Sequence, residues 1–599
     1  MNDSVRYSEY YLMQPIFDNL YAKSKENFSF SNLYELIISR DNLLLAYRNI
    51  KSNTGSKTVG TDGLSIKDYK IMDEATFINN IRERLANFHP NSVRRVFIPK
   101  VNGKERPLGI PTMEDRLIQQ SIKQILEPIC EAKFFEHSYG FRPNRSTHHA
   151  LARMLNLINV GKNHYVVDID IEGFFDNVNH NKLIKQLFSL GIKDKRLLAI
   201  IKKMLKANIE GEGIPNKGVP QGGILSPLLS NVVLNELDHW VSDQFETFDI
   251  SKLGSKDTRK YRFLQTKTNM KQGFIVRYAD DFKIITTSYN EAKRWYFAVQ
   301  NFLEKRLGLN ISKEKSKITN LRKRKSEFLG FKIKGVRKGK RIVAHSFISD
   351  KKKQDIIQSL RERARTLYRS NTRKEAYEYN SYIRGIHNYF SAASHVSVDM
   401  KEIAYKTYRT IWNNLSKISE SGKCEVKGYE RYNYTTFSIK EVPLIPVSAV
   451  KSIVVKQFQQ DINDYSPKGR ELNSKVNLMY NIQKAVQQLA KTYIEKRSIQ
   501  YNDNRVSKFS ASKGKCFVTG VDLTRDIHNY HCHHITPIYL GGTDEYENLA
   551  ALHKFAHILV HVTKEETIEK YMRLLNINEY QLKKLNKLRK ACKLQPIKD

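Results

Sequence analysis

Hydrophobic and polar positions along this chain change period several times, and each change predicts an element. Residues 1 to about 90 read as helical segments interrupted by one glycine-containing loop, Asn53-Thr54-Gly55 through Asp62-Gly63. Val93 to Lys100 alternates partly, Asn102-Gly103 supplies turn chemistry and Arg106 to Pro111 returns, which predicts a β-hairpin. A helical run follows near 113–131. Strands are predicted at Tyr165 to Ile171, at Phe274 to Tyr278 and at Phe282 to Thr286, with Ala279-Asp280-Asp281 between the last two. Helices are predicted from Leu228 to about Trp240 and from Ser349 to Arg369. Residues 375–420 are helical and aromatic-rich, and 425–510 show weak periodicity. A last unit begins near Lys513, with a strand at His533-His534-Ile535, a turn at Gly541-Gly542 and a helix from Asn548 to Val562.

At 599 residues the chain exceeds one hydrophobic core and divides into roughly three to five domains. Its 40% apolar and 11% aromatic content excludes a disordered chain. Charge changes the picture more: 101 Lys and Arg against 62 Asp and Glu give +39, an excess that calls for a polyanion. Nucleic acid is the default partner, because neutralised phosphates release counterions. A membrane surface is the competitor, but no apolar run approaches about 18 residues and no lipidation motif is present. The start, mixed in charge, lacks the cationic and apolar regions of an export signal. Five scattered cysteines argue against a disulfide scaffold and fit a reducing compartment.

Two-metal nucleotidyl transfer needs carboxylates that hold two divalent ions about 4 Å apart. Tyr278-Ala279-Asp280-Asp281, flanked by apolar strands, has the form of a turn presenting carboxylates, although an Asp-Asp at a hairpin tip is by itself more often a solvated turn. Asp168 and Asp170 lie in the apolar run Val166 to Ile171, where a carboxylate is costly unless paired or metal-bound. They share a strand face, so periodicity does not choose between them. Gly218-Val219-Pro220-Gln221-Gly222-Gly223 runs into an apolar helix, and such a loop lets backbone approach a base or phosphate closely.

Arg106 to Pro111, Gly140-Phe141-Arg142-Pro143, Asp170 to Asp176, Pro220 to Gly223, Tyr278 to Asp281 and Phe328-Leu329-Gly330 together resemble the ordered blocks of group II intron-encoded reverse transcriptases, over roughly residues 40–420. The resemblance implies a multidomain α+β chain: a right-hand polymerase of fingers, palm and thumb, then an α-helical maturase (X) domain, a DNA-binding region and a ββα-metal nuclease. It implies that Asp170, Asp280 and Asp281 hold two Mg2+ ions, that Lys100 and Arg106 contact the incoming triphosphate, that Phe175 excludes a 2′-hydroxyl and that Gln221 lines the nucleotide pocket. Two departures are Glu172, where a basic residue is usual, and Lys283, where an apolar one is. The loop 53–63 looks like the family's extra fingers motif. Tyr379 to Phe390 resembles the maturase segment, whose Tyr, Phe, Arg and His can stack on bases and touch phosphates. An aromatic core stripe is the competing reading of those residues.

Seven histidines cluster between residues 513 and 562. His557 and His561, at i and i+4, share a helix face and can share a metal, although a polar face is the more common reason for such a pair. The strand, loop and helix order resembles HNH nucleases. That likeness implies His533, His557 and His561 as ligands of one divalent ion (Mg2+ or similar), His534 as general base and Asn548 as the residue holding it by a hydrogen bond. The paired Cys-x-x-Cys motifs of intron-encoded members are missing: Thr519 stands where Cys516 needs a partner, and His553 and Ala556 occupy the second pair's place. A structural Zn site of four cysteines is therefore not supported; Cys516, Cys532 and His553 form a degraded or different site or, as is more common for such residues, are three unrelated core residues.

The expected organisation is 1–90, N-terminal extension and extra fingers motif; 91–310, fingers and palm; 311–425, thumb and X domain; 426–510, DNA-binding region; 511–599, nuclease. The expected function is an RNA-directed DNA polymerase that aids splicing of its host intron RNA and nicks a DNA target for target-primed reverse transcription (retrohoming). A non-catalytic RNA-binding splicing factor is the alternative. Implied partners are host group II intron RNA, double-stranded DNA and dNTPs, with no membrane and a homodimer left open. The implied location is the cytoplasm of a bacterium or an organelle, without secretion.

Overall fold

A computed structural model describes residues 7–99, 105–161, 163–253, 260–339, 341–429, 432, 435–473, 480–524 and 526–598. By backbone contacts the chain forms two compact units: the described parts of Met1–Lys133, Val178–Val232 and Asp461–Asp599, and those of Phe134–Asn177 and Val233–Gln460.

In the second unit a four-stranded antiparallel sheet has the order Phe274–Tyr278, Asp281–Thr286, Tyr165–Ile169, Lys317–Asn320. Tyr165–Ile169 is central, so burial on both faces explains an apolar run interrupted only by Asp168 rather than an alternating one. It ends two residues before the predicted limit, because the ladder stops at Ile169 opposite Phe282. Helices Thr147–Asn159 and Tyr289–Asn301 pack on this sheet. The basic stretch after residue 310, for which no strands were predicted, forms Lys317–Asn320 and a second antiparallel sheet of Ser326–Phe328, Phe331–Lys338 and Arg341–Ile348. Lys332 is buried but paired with Asp350, and Arg337 and Lys338 are exposed, while Phe331 and Ile333 are buried, so charge masked a period-two pattern. Helices Asp350–Ser370, Arg373–Phe390 and Val396–Leu415 follow, close to the predicted runs.

In the first unit the hairpin Arg94–Pro99 with Glu105–Ile110 forms as predicted, its tip lying outside the described residues. Helices Met13–Lys25, Arg40–Lys51 and Glu74–Ala86 pack around Met113–Glu131. The N-terminal helices are tied to Ile499–Ala511 through Asp503, a fully enclosed carboxylate that bonds Tyr11 Oη at 2.5 Å, Arg48 Nη1 at 2.7 Å and Lys51. Burial opposes ionisation there, but the two cations outweigh it and hold the carboxyl well below its ordinary range.

The C-terminal element order is corrected in detail. Leu549–His553 is a strand paired antiparallel with Tyr530–His534, and the helix starts only at Lys554, ending at His561. Leu549-Ala550-Ala551-Leu552 is apolar enough for either structure, and cross-strand pairing decided it. His553 then caps the helix, its Nδ1 accepting from Phe555 N at 3.2 Å.

Candidate active sites

The strand register builds the first site. Pairing of Tyr165–Ile169 with Asp281–Thr286 places Asp168 opposite Lys283 and Ile169 opposite Phe282. Asp170 follows Ile169 directly, just past the end of this ladder, on the side of the sheet end where Asp281 begins its strand. Asp280 occupies the turn between Tyr278 and Asp281, which are themselves a cross-strand pair. Asp170, Asp280 and Asp281 thus lie at the same end of the sheet. Asp168 and Asp170, equivalent by periodicity, differ in environment. Asp168 is buried and committed inward, accepting from Lys283 Nζ at 2.9 Å, Thr319 Oγ1 at 3.0 Å and Ser326 Oγ at 3.0 Å. Asp170 is half-exposed, with Lys315 Nζ 3.2 Å from its carboxylate.

The turn is held from behind. Ala279 adopts φ +57°, a left-handed conformation unfavourable for a residue with a Cβ. Arg277, fully buried, donates to the Ala279 carbonyl at 2.8 Å and forks onto Asp238 at 2.6–2.9 Å. Backbone bonds join Tyr139 N to Arg277 O and Arg277 N to His137 O. Gly140 lies so close that an added Cβ would sit 2.2 Å from Ala279 N. The Gly140-Phe141-Arg142-Pro143 motif therefore buttresses the turn. Lys283 spans Asp168 and Asp281, at 3.3 Å from the latter. Burial pushes the Asp281 carboxyl pKa up, with Lys283 offsetting part of it; burial likewise opposes charge on Lys283, but Asp168 and Asp281 prevail and raise its pKa.

Sequence reading missed Arg277, Asp238, and Asp168 as partner of Lys283. Their signal was a charge of each sign inside apolar runs; which charges pair was not readable. Phe175 is half-buried, edge-to-face with Phe174 at 5.3 Å. Arg106 and Gln221 belong to the first unit, where Gly109 N donates to Gln221 O at 2.6 Å. Gly222, at φ +115°, leaves only 2.5 Å between an added Cβ and Gly109 O, so the glycine is required. Lys100 lies outside the described residues.

The second site lines an open cleft with Tyr501, His531, His533, His534, His557 and His561. The rings of His533, His557 and His561 lie 5.0–5.1 Å apart, centre to centre. Burial, then the neighbouring imidazoles, pushes His533 down to about 3 and His557 to about 4. Both are therefore neutral donors at neutral pH. The expected bond between Asn548 and His534 is not made. Asn548 instead closes the loop, donating to the Thr536 and Thr543 carbonyls and accepting from Thr536 N. His534 Nε2 meets Asp544 Oδ1 at 2.8 Å and its ring stacks on Tyr501. Burial raises the Asp544 carboxyl, but the His534 and Ser498 bonds outweigh it and lower the pKa. Asp544, which follows Gly541-Gly542-Thr543, makes the bond to His534 expected of Asn548, because the tight loop turns Asn548 back on its own backbone.

The maturase-like segment also divides. Tyr379, His387 and Phe390 are buried, with His387 bonded to Tyr429 Oη and Val447 O, so the core-stripe reading holds for them. Exposed aromatics of this region are Tyr377 on the same helix and Tyr405, Tyr408 and Trp412 on the following one.

An antiparallel sheet presenting carboxylates from a strand end and a neighbouring turn is the palm of a template-directed polymerase of the reverse-transcriptase class. A family model for reverse transcriptase (RNA-dependent DNA polymerase) matches residues 98–333. The group II intron-encoded protein LtrA of Lactococcus lactis subsp. cremoris is 32% identical, over 68% of this chain and 78% of its own. Protein YkfC of Escherichia coli (strain K12) is 34% identical, over 50% of this chain and 82% of its own. The chain belongs to the group II intron-encoded proteins. A telomerase structure from Candida tropicalis aligns over 41% of this chain and 53% of its own, at 18% identity and a TM-score of 0.30, too loosely to bear on the fold. No helix among the described residues is long and apolar enough to cross a membrane.

Proposed function

We propose that this protein copies RNA into DNA at the site formed by Asp170, Asp280 and Asp281, aids splicing of its host group II intron RNA, and nicks a double-stranded DNA target to prime that synthesis. The observation that carries the polymerase reading is the placement of Asp170, directly after strand Tyr165–Ile169, at the same sheet end as Asp281 and the turn that holds Asp280. The donor set suits two Mg2+ ions: hard oxygen ligands, half-exposed, backed by fixed strands. Such ions would activate the attacking 3′-hydroxyl and offset charge on the leaving pyrophosphate. The chain's own residues position the reaction. Arg277 and Gly140 fix the turn, Lys283 aligns Asp281, and Phe175 bounds the sugar. Asp280→Asn is the test: primer extension on an RNA template is lost at least about 100-fold while intron RNA binding stays within twofold of wild type. Equal loss of both would remove the polymerase assignment.

The exposed Tyr405, Tyr408, Trp412 and Arg409 offer stacking surfaces and a cation for the intron RNA, which supports the maturase reading of residues 311–425. Residues 511–599 supply the nuclease. There His534, oriented by Asp544 through Nε2, keeps Nδ1 free to take a proton from water. His533, His557 and His561 present neutral imidazoles suited to one divalent ion, which would offset charge on the phosphate and the leaving oxygen. Residues 426–510 are left for contacts to the DNA target.

A further inference from the structure

The end of the chain brings a thiol to the histidine cluster. Helix Glu579–Ala591 packs on Lys554–His561 and is locked there by Arg589, whose Nη1 donates to the Leu559 and Val562 carbonyls at 2.6 and 2.8 Å. Cys592, immediately after that helix, is buried. Its sulfur joins His533 and His561 so that one donor atom from each lies within 4.8 Å of the other two. Among the described residues this is the set of metal-type donors that converges most closely, and His557 falls outside it. A second observation points to a ligand. His533 is 2% exposed and its Nε2 is buried without a hydrogen-bond partner, an unsatisfied donor atom beside a thiol whose own bond, to Ile535 O, is 3.8 Å long.

We infer that Cys592 is a direct metal ligand, and that His533, His561 and Cys592 bind a zinc-class ion. Tetrahedral zinc, about 2.1 Å from nitrogen and 2.3 Å from sulfur, needs donors about 3.5 Å apart, which small side-chain rotations provide. A thiolate is a soft donor that favours zinc or cobalt over Mg2+, whose preference is for oxygen. On binding, the Cys592 proton leaves to solvent and the sulfur lone pair forms the bond. Three protein donors leave the fourth position for His557, water or a phosphate oxygen. The ion's catalytic use rests on the nuclease reading, but its binding does not.

The test uses the full-length protein. X-ray absorption of the zinc-loaded wild type shows one sulfur at about 2.3 Å. The cobalt(II)-loaded protein shows a sulfur-to-metal charge-transfer band that Cys516→Ser keeps and Cys592→Ser loses. Cys592→Ser weakens zinc binding at least about 100-fold, since even outer-shell changes cost 10–100-fold. A shell of nitrogen and oxygen alone in the wild type overturns the inference, whether or not the variant folds. DNA nicking is scored separately. Nicking in Mg2+ with no sulfur ligand sinks this inference and leaves the nuclease standing; a sulfur ligand without nicking does the reverse.

Discussion

Replacing Lys283 by methionine removes one half of a buried ion pair. The Lys283 and Asp168 side chains are 9% and 7% exposed and meet at 2.9 Å, so neither charge has water to fall back on. Breaking such a pair from one side costs about 3–5 kcal/mol. Asp168 retains bonds from Thr319 and Ser326, which sets Lys283→Met at the lower end, about 3 kcal/mol. Asp168→Asn keeps an acceptor for both hydroxyls but leaves Lys283 with Asp281 alone, and costs a similar amount. The double variant has no stranded charge and returns to within about 1 kcal/mol of wild type. Hydrogen exchange read on Tyr165–Ile169 and Asp281–Thr286 measures this locally, which matters in a chain of several cooperative units. A loss of 3 kcal/mol through opening speeds exchange about 150-fold. Additive effects in the double variant, slower than neither single, would refute the pairing as the reason Lys283 stands where an apolar residue is expected.

Gly140→Ala forces the turn away from its buttress. Ordinary contact begins at 3.4 Å and the new Cβ would start at 2.2 Å, a displacement of about 1.2 Å that lowers primer extension about 100-fold with melting little changed. Gly385→Ala, which meets nothing within 4 Å, leaves extension unaltered and serves as control. Folded His533 accepts a proton only near pH 3, whereas the unfolded chain accepts one near its ordinary 6.5. Between those values the unfolded state binds more protons, so the metal-free protein loses stability as pH falls below 6.5, by about 2–3 kcal/mol at about pH 4.5; His533→Gln flattens that slope in acid melting curves. Tyr405→Ala and Tyr408→Ala each weaken intron RNA binding in filter assays by about 1–3 kcal/mol, while Tyr379→Phe, buried, leaves affinity unchanged.

Much of this protein was written in its local sequence. Period changes marked the helices and the strands around Asp170 and Asp280-Asp281, because a strand or helix must bury one face and the pattern records which. The net charge of +39 announced a polyanion. What stayed hidden required partners distant in sequence. Asp168 and Asp170 are equivalent by periodicity, and only the register against Lys283 separated the inward carboxylate from the outward one. Leu549–His553 became a strand because Tyr530–His534 was there to pair with it. Asp544 displaced Asn548 as partner of His534 through the geometry of a tight loop, and Cys592 reached His533 only because a terminal helix folded back. Charge pairing and ligand convergence depend on distance in space, which local pattern does not encode; tertiary packing alone assigned them.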